Sequence, residues 1–210
     1  MLENINVLCH SAIRLEIDNK IIYIDPYSLT SNANDADLIF ITHDHYDHFS
    51  IEDIKKVEKS NTIFIIPESM LENAIKSGIK ENRIIKIKPN QNYKYENLKI
   101  ETIPAYNVDK KFHPKENNWV GYLIEYNNVV YYIAGDTDIT NENKKVKCDI
   151  AFVPIGGTYT MNYKEAAKLI NEIKPKFVVP IHYGKIVGTK QDALNFEKLL
   201  NEDIKCKIMI

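Results

Sequence analysis

An α/β (α+β) fold, a four-layer αββα sandwich, is predicted by three features of this 210-residue chain. It opens on a run of short hairpin-like strands. In both halves strands then alternate with helices, which suits two mixed sheets facing each other with helices outside. No Gly/Pro/Ser linker or low-complexity segment interrupts the order, so residues 1–210 read as a single domain. A doubly wound α/β sheet is the rival, and the opening strands argue against it.

The elements follow from local pattern. Ile5–Cys9, Ala12–Ile17 and Ile21–Ile24 read as strands, with a turn at Asp18-Asn19-Lys20. Leu38–Ile41 is a continuous apolar run, as expected of a strand buried on both faces. Ser50 with Asp53 three residues on predicts a capped helix over Ile51–Lys59. Thr62–Ile66 is another buried strand; Pro67 is expected to open a helix that stops at Gly78. Strands follow at Ile84–Ile87 and Leu98–Ile103, then a hairpin of Trp119–Tyr126 and Val129–Ala134 around Asn127-Asn128. The remainder reads as strand 149–153, helix 162–173, strand 177–181, helix 190–200 and strand 204–209.

Composition excludes several classes. Apolar residues are 44% and charged residues 27%, with a formal net charge of −2, ordinary for a globular protein. Lysines are interleaved with acids, as in Lys55-Lys56-Val57-Glu58-Lys59, so no basic arm for nucleic acid is visible. The longest apolar runs, such as Val129–Ala134, fall far short of the ~20 residues of a membrane helix. The N-terminus lacks a basic region followed by an apolar stretch, and Cys9, Cys148 and Cys206 are odd in number and far apart. Reduced thiols and a cytoplasmic protein are the expectation.

The chemistry concentrates in Thr42-His43-Asp44-His45-Tyr46-Asp47-His48, directly after a buried strand. His43 and His45 are two apart, so in extended backbone their imidazoles point the same way. Asp47 and His48 come where the chain turns into the next helix and can serve a neighbouring point. One segment can thus supply two ligands to each of two adjacent ions. A surface loop merely rich in His and Asp is the bland alternative. Against it, burying so many unpaired imidazoles and carboxylates would cost several kcal/mol. A metal offsets that cost, and such sets suit Zn²⁺, Mn²⁺ or Fe²⁺.

His43-x-His45-x-Asp47-His48 resembles the HxHxDH signature of the metallo-β-lactamase superfamily, whose fold is the αββα sandwich. Ile133-Ala134-Gly135-Asp136-Thr137 resembles its strand-end Gly-Asp-Thr, and Val178-Val179-Pro180-Ile181-His182-Tyr183-Gly184 its late strand-end histidine. Leu8-Cys9-His10-Ser11 and Ile24-Asp25-Pro26-Tyr27 are similar to the opening of the branch containing L-ascorbate-6-phosphate lactonases and other metal-dependent hydrolases. The resemblance implies two divalent ions, Zn²⁺ foremost, with Asp136 bridging them and His182 completing the second. On the residues alone, a turn aspartate capping the loop 137–141 is the weaker alternative for Asp136, whereas His182 is equally a core histidine at a strand end.

The resemblance also calls for a histidine after a central strand as third ligand of the first ion. Relatives often place it close behind the alanine of Ile103-Pro104-Ala105-Tyr106-Asn107, where this chain has Asn107. His113 is the nearby histidine and is assigned the position, with Asn107 or water as the alternative. His10 and Asp25 flank the site in the family pattern; Asp25 is the preferred partner for the second ring nitrogen of a ligating imidazole. Cys9 stands where many relatives have glycine and reads as a small buried residue. Gly156-Gly157-Thr158-Tyr159-Thr160-Met161 precedes a helix and reads as an ordinary turn, with anion binding the weaker alternative.

The implied activity is hydrolysis of a small lactone, ester or phosphodiester, phosphorylated or not. Metal lowers the pKa of water from about 15.7 towards ~7, and Asp47 orients the nucleophile or takes its proton. Rival readings are a metal-holding sensor without turnover and a nuclease on the same fold. An oxidoreductase is a further rival, but those relatives have a carboxylate where His45 stands. A small-molecule substrate is the expected partner, and homo-oligomerisation is left open.

Overall fold

The first three strands, Ile5–Cys9 (β1), Ala12–Ile17 (β2) and Lys20–Ile24 (β3), form an antiparallel meander, β1 with alternating inward and outward residues and β3 as an apolar run. Ile5 and Val7 point inward while Asn6 and Leu8 face out. Between β2 and β3 the two-residue turn Asp18-Asn19 has φ of 56° and 57°, the geometry that matches hairpin twist. The computed structural model describes residues 2–210, and the chain divides into two compact units, one ending at Lys88 and one running from Pro89 to Ile210.

In the first unit, Ala36–Phe40 (β4), Glu58–Pro67 (β5) and Ile84–Ile87 (β6) continue the sheet in parallel, in the order β1-β2-β3-β4-β5-β6. Strands buried on both faces are continuously apolar, as Leu38-Ile39-Phe40 and Phe64-Ile65-Ile66 show, all fully buried. Parallel neighbours need crossovers: the loop 25–35 joins β3 to β4, and helices Ile51–Val57 (α1) and Leu71–Lys76 (α2) lie in the β4–β5 and β5–β6 connections. Ile54, Val57, Met70 and Ala74 pack with Ile39, Phe64 and Ile66 in this unit's core.

Two expectations shift here. The helix over Ile51–Lys59 ends at Val57, because Glu58 already pairs with Ala36 and the Lys59 amide donates to Thr62 Oγ1. Pro67 does not open a helix: it closes β5, opposite Ile87, and a 3₁₀ turn begins at Glu68. Gly78 does lie just past the helix end, at φ 94°.

The second unit repeats the scheme. Asn92–Tyr95 (β7), Leu98–Pro104 (β8), Val120–Tyr126 (β9) and Val129–Ile133 (β10) are antiparallel. Ile150–Pro154 (β11), Phe177–Ile181 (β12) and Lys205–Cys206 (β13) then add in parallel. The order is β13-β12-β11-β10-β9-β8-β7. Asn127-Asn128, at φ 48° and 61°, closes the β9–β10 hairpin. Strand β7 was not expected, because Asn-Tyr-Lys-Tyr carries no apolar run; it is an edge strand held by β8.

Helices Tyr163–Ile173 (α3) and Lys190–Glu197 (α4) are each closed by a capping box, at Asn162/Glu165 and Thr189/Asp192. Helix α4 stops three residues short of the expected 200, and the last strand is two residues rather than 204–209, although the Lys207 amide still donates to Val178. Ala166, Leu169, Ile170 and Ile173 of α3 join Val153, Val178 and Phe196 in the second core. Among the described residues no helix is long and apolar enough to cross a membrane. None of the three cysteines forms a disulfide, and burial pushes the Cys148 and Cys206 thiols up to about 12, which leaves them unreactive.

Candidate metal centre

All the candidate residues but His113, which lies in the loop between β8 and β9, sit just past the end of a strand. His10 follows β1, Asp25 follows β3, residues 42–48 follow β4, Asp136 follows β10 and His182 follows β12. Ligands in α/β sheets gather outside the carboxyl ends of strands, where the chain is released from its ladder. His10, Asp25 and His182 leave their strands at φ of 53°, 47° and 58°, a left-handed backbone that only a few non-glycine residues adopt. Gly135 makes the same turn at φ 65° ahead of Asp136, at a position where a side chain would be strained.

In the first unit, the buried Asp25 carboxylate accepts from the Thr42 amide (2.8 Å) and the Thr42 hydroxyl (2.6 Å), and meets His48 Nδ1 at 2.7 Å. Burial pushes the Asp25 carboxyl up, and the charge and hydrogen bonds of His48 with those of Thr42 pull against it. Because a carboxylate accepts, His48 carries its proton on Nδ1 and turns Nε2 towards Asp47, whose Oδ2 is 3.6 Å away. His10 Nε2 reaches the same Asp47 oxygen at 3.3 Å. The His43 ring lies tilted against His48, with centroids 4.0 Å apart and planes inclined by 41°, and its Nε2 lies 3.2 Å from His45 Nδ1.

The second unit has a matching arrangement. Asp136 Oδ2 is 3.0 Å from His182 Nε2 and 3.2 Å from His113 Nε2, all three side chains being buried. His113 is packed edge-on against Trp119, with ring centroids 5.6 Å apart. Its loop is tied to the loop carrying Asp136: Tyr106 and Thr137 exchange hydrogen bonds, the Val108 amide donates to Asp138, and Lys110 pairs with Asp138 at 2.5 Å. Gly156 lies so close to His182 that a Cβ there would be 2.4 Å from its carbonyl and 3.2 Å from its Nδ1.

Two carboxylate oxygens, Asp47 Oδ2 and Asp136 Oδ2, are thus each flanked by two imidazole nitrogens. With its proton held on Nδ1 by Asp25, His48 turns the Nε2 lone pair towards Asp47 Oδ2, an arrangement that repels unless a cation lies between them. His10, His43, His45, Asp47, His48, His113, Asp136 and His182 all belong to groups whose ligand atoms could hold a metal ion. The donor set is imidazole and carboxylate, the chemistry of zinc and its neighbours. The residues present therefore fit a metal.

Two contributors escape the sequence. Thr42 was read only as part of the cluster, yet it holds Asp25; its position between a buried strand and the first histidine was the available signal. Gly156 was read as a turn glycine and is a steric seat for His182. His10, expected to flank the site, has its Nε2 3.3 Å from Asp47 Oδ2. At the turn before α3, the Gly157 amide donates to Met161, and Asn162 takes the Lys164 and Glu165 amides, as an ordinary capped turn requires.

A model of the β-lactamase superfamily domain matches residues 4–182. A UPF0173 metal-dependent hydrolase from Pyrococcus furiosus is 30% identical over 222 aligned positions, covering 98% of this chain and 95% of the relative. Among solved structures, a protein from Parabacteroides distasonis assigned as a metal-dependent hydrolase is 34% identical, with a TM-score of 0.85 over 97% of this chain and 91% of that one. The Bacillus subtilis metallo-β-lactamase fold protein YhfI superposes with a TM-score of 0.75 at 12% identity, covering 95% of this chain and 88% of that one, a likeness of fold alone. Two mixed sheets with flanking helices and strand-end histidines define the metallo-β-lactamase fold and the class of its metal-dependent hydrolases. The chain belongs to the β-lactamase superfamily and, within it, to the UPF0173 metal-dependent hydrolase family.

Proposed function

We propose that residues 1–210 act as one dinuclear hydrolase domain that cleaves a small lactone, ester or phosphodiester, in the manner of the lactonases its opening motifs resemble. The supporting observation is the flanking of one carboxylate oxygen in each unit by two buried imidazoles. On this reading His43, His45 and His113 would hold one divalent ion and Asp47, His48 and His182 the other, with Asp136 as the carboxylate that would serve both. Zn²⁺ suits the histidine-rich set best, with Mn²⁺ or Fe²⁺ as substitutes.

Such ions supply water acidified to a pKa of about 7 and a Lewis acid for a developing oxyanion. The chain does the rest. Asp25 and Thr42 fix the His48 ring, Gly156 seats His182, and the loop ties through Asp138 hold His113 beside Asp136. Asp47 orients the attacking water and accepts its proton on Oδ2, with His10 beside that oxygen to share the charge.

Elemental analysis of the purified protein, paired with a panel of lactones, esters and phosphodiesters, tests this. The expected result is about two equivalents of zinc per chain and turnover that a chelator abolishes and zinc restores. Full metal occupancy without turnover on any class would make the chain a metal-holding module instead.

A further inference from the structure

Asn107 stands six residues before His113, and its amide orientation is set from two sides. Its Nδ2 donates to the Tyr159 carbonyl at 2.9 Å, and a carbonyl can only accept. Its Oδ1 takes the His113 backbone N–H at 3.0 Å, and an N–H can only donate. The amide can therefore not be turned over without breaking both bonds. The same Oδ1 lies 3.0 Å from His113 Nδ1. An oxygen already fixed as acceptor requires the proton on Nδ1, so the neutral ring presents its Nε2 lone pair, and Nε2 is the atom 3.2 Å from Asp136 Oδ2.

We infer, on the reading of this site as a metal centre, that Asn107 is a positioning residue: it holds His113 in the Nδ1–H tautomer and so makes Nε2 a ligand. Neither residue is a substitute for the other; the asparagine is the histidine's orienting partner. The Asn107 amide also donates to the His113 carbonyl at 2.8 Å, so backbone and side chain fix the loop together. The Tyr159 carbonyl anchors the arrangement to the segment between β11 and α3.

The test uses the full chain, metal-free and with its histidine rings ¹⁵N-labelled, at a pH where imidazoles are neutral. His113→Gln identifies the His113 signals. Wild type and Asn107→Asp, which keeps the acceptor, are expected to show a protonated Nδ1 and a bare Nε2. Asn107→Ala is expected to show a mixture of tautomers. In chelator competition Asn107→Ala should weaken zinc binding by about 10–100-fold, the usual effect of removing such a partner, with Asn107→Asp recovering most of it. A wild-type His113 protonated on Nε2 overturns the inference whether or not Asn107→Ala folds, as does unchanged zinc affinity in Asn107→Ala. Wild type that binds no zinc overturns the metal reading, and the ring spectra then still decide what Asn107 does.

Discussion

His48 Nδ1 lies 2.7 Å from Asp25 Oδ2, and both groups are buried. The same carboxylate accepts two bonds from Thr42, so Asp25 is the hub that aims His48 at the neighbourhood of Asp47. Asp25→Ala strands three donors in an apolar interior. Breaking such a buried pair is expected to cost about 3–5 kcal/mol, read from urea unfolding, and to lower metal affinity by about 10–100-fold in chelator competition.

Asp47 is the one candidate ligand of the HxHxDH segment to which the proposed function gives proton chemistry as well as metal binding. Asp47→Ala should reduce kcat by about 10²–10⁴ and lower the metal content of the purified protein. Unchanged values of both would remove Asp47 from the mechanism.

At Gly156 the constraint is steric. A methyl group would lie 2.4 Å from the His182 carbonyl and 2.5 Å from Val187 Cγ2, and the backbone contact cannot yield by side-chain rotation. Gly156→Ala is expected to destabilise by about 1–3 kcal/mol and to displace His182. Thermal melts with and without zinc measure the two effects: the variant should lose most of the zinc-dependent rise in Tm.

Acid should loosen the first unit through Asp53. Its carboxylate accepts from the Ser28 and Leu29 amides, Ser50 Oγ and Lys56 Nζ, pinning the loop after Asp25 onto α1. Burial pushes this carboxyl up, but the hydrogen bonds from Lys56, Ser50, Leu29 and Ser28 outweigh it and hold it below its ordinary value. With a depressed folded pKa, its stabilisation is complete above the unfolded value of about 3.9 and is lost as pH falls through the folded one. Urea midpoints measured down that acid range should fall less steeply for Asp53→Asn, which begins less stable at neutral pH.

Much of this was readable in order of residues because the information is local. Parallel central strands must be apolar throughout, so Leu38-Ile39-Phe40 and Phe64-Ile65-Ile66 declared themselves, and the two Asp/Asn turn pairs marked their hairpins. Strand β7 did not, since an edge strand of polar and tyrosine residues is stabilised by its neighbour rather than by its own pattern. Pro67 misled for a related reason: its ring suits both a helix start and a strand end, and pairing with Ile87 chose between them.

The sequence by itself determined the candidate donors: four histidine and aspartate side chains within six residues after a buried strand, and further histidine and aspartate at the ends of later strands. Only the tertiary structure decided which atom of each donor is available. Thr42 and Asp25 set the proton on His48, Asn107 meets His113 across a six-residue loop, and Gly156 clears space for a histidine 26 positions later. A tautomer depends on what faces the second ring nitrogen, and that neighbour is brought by folding rather than by spacing along the chain.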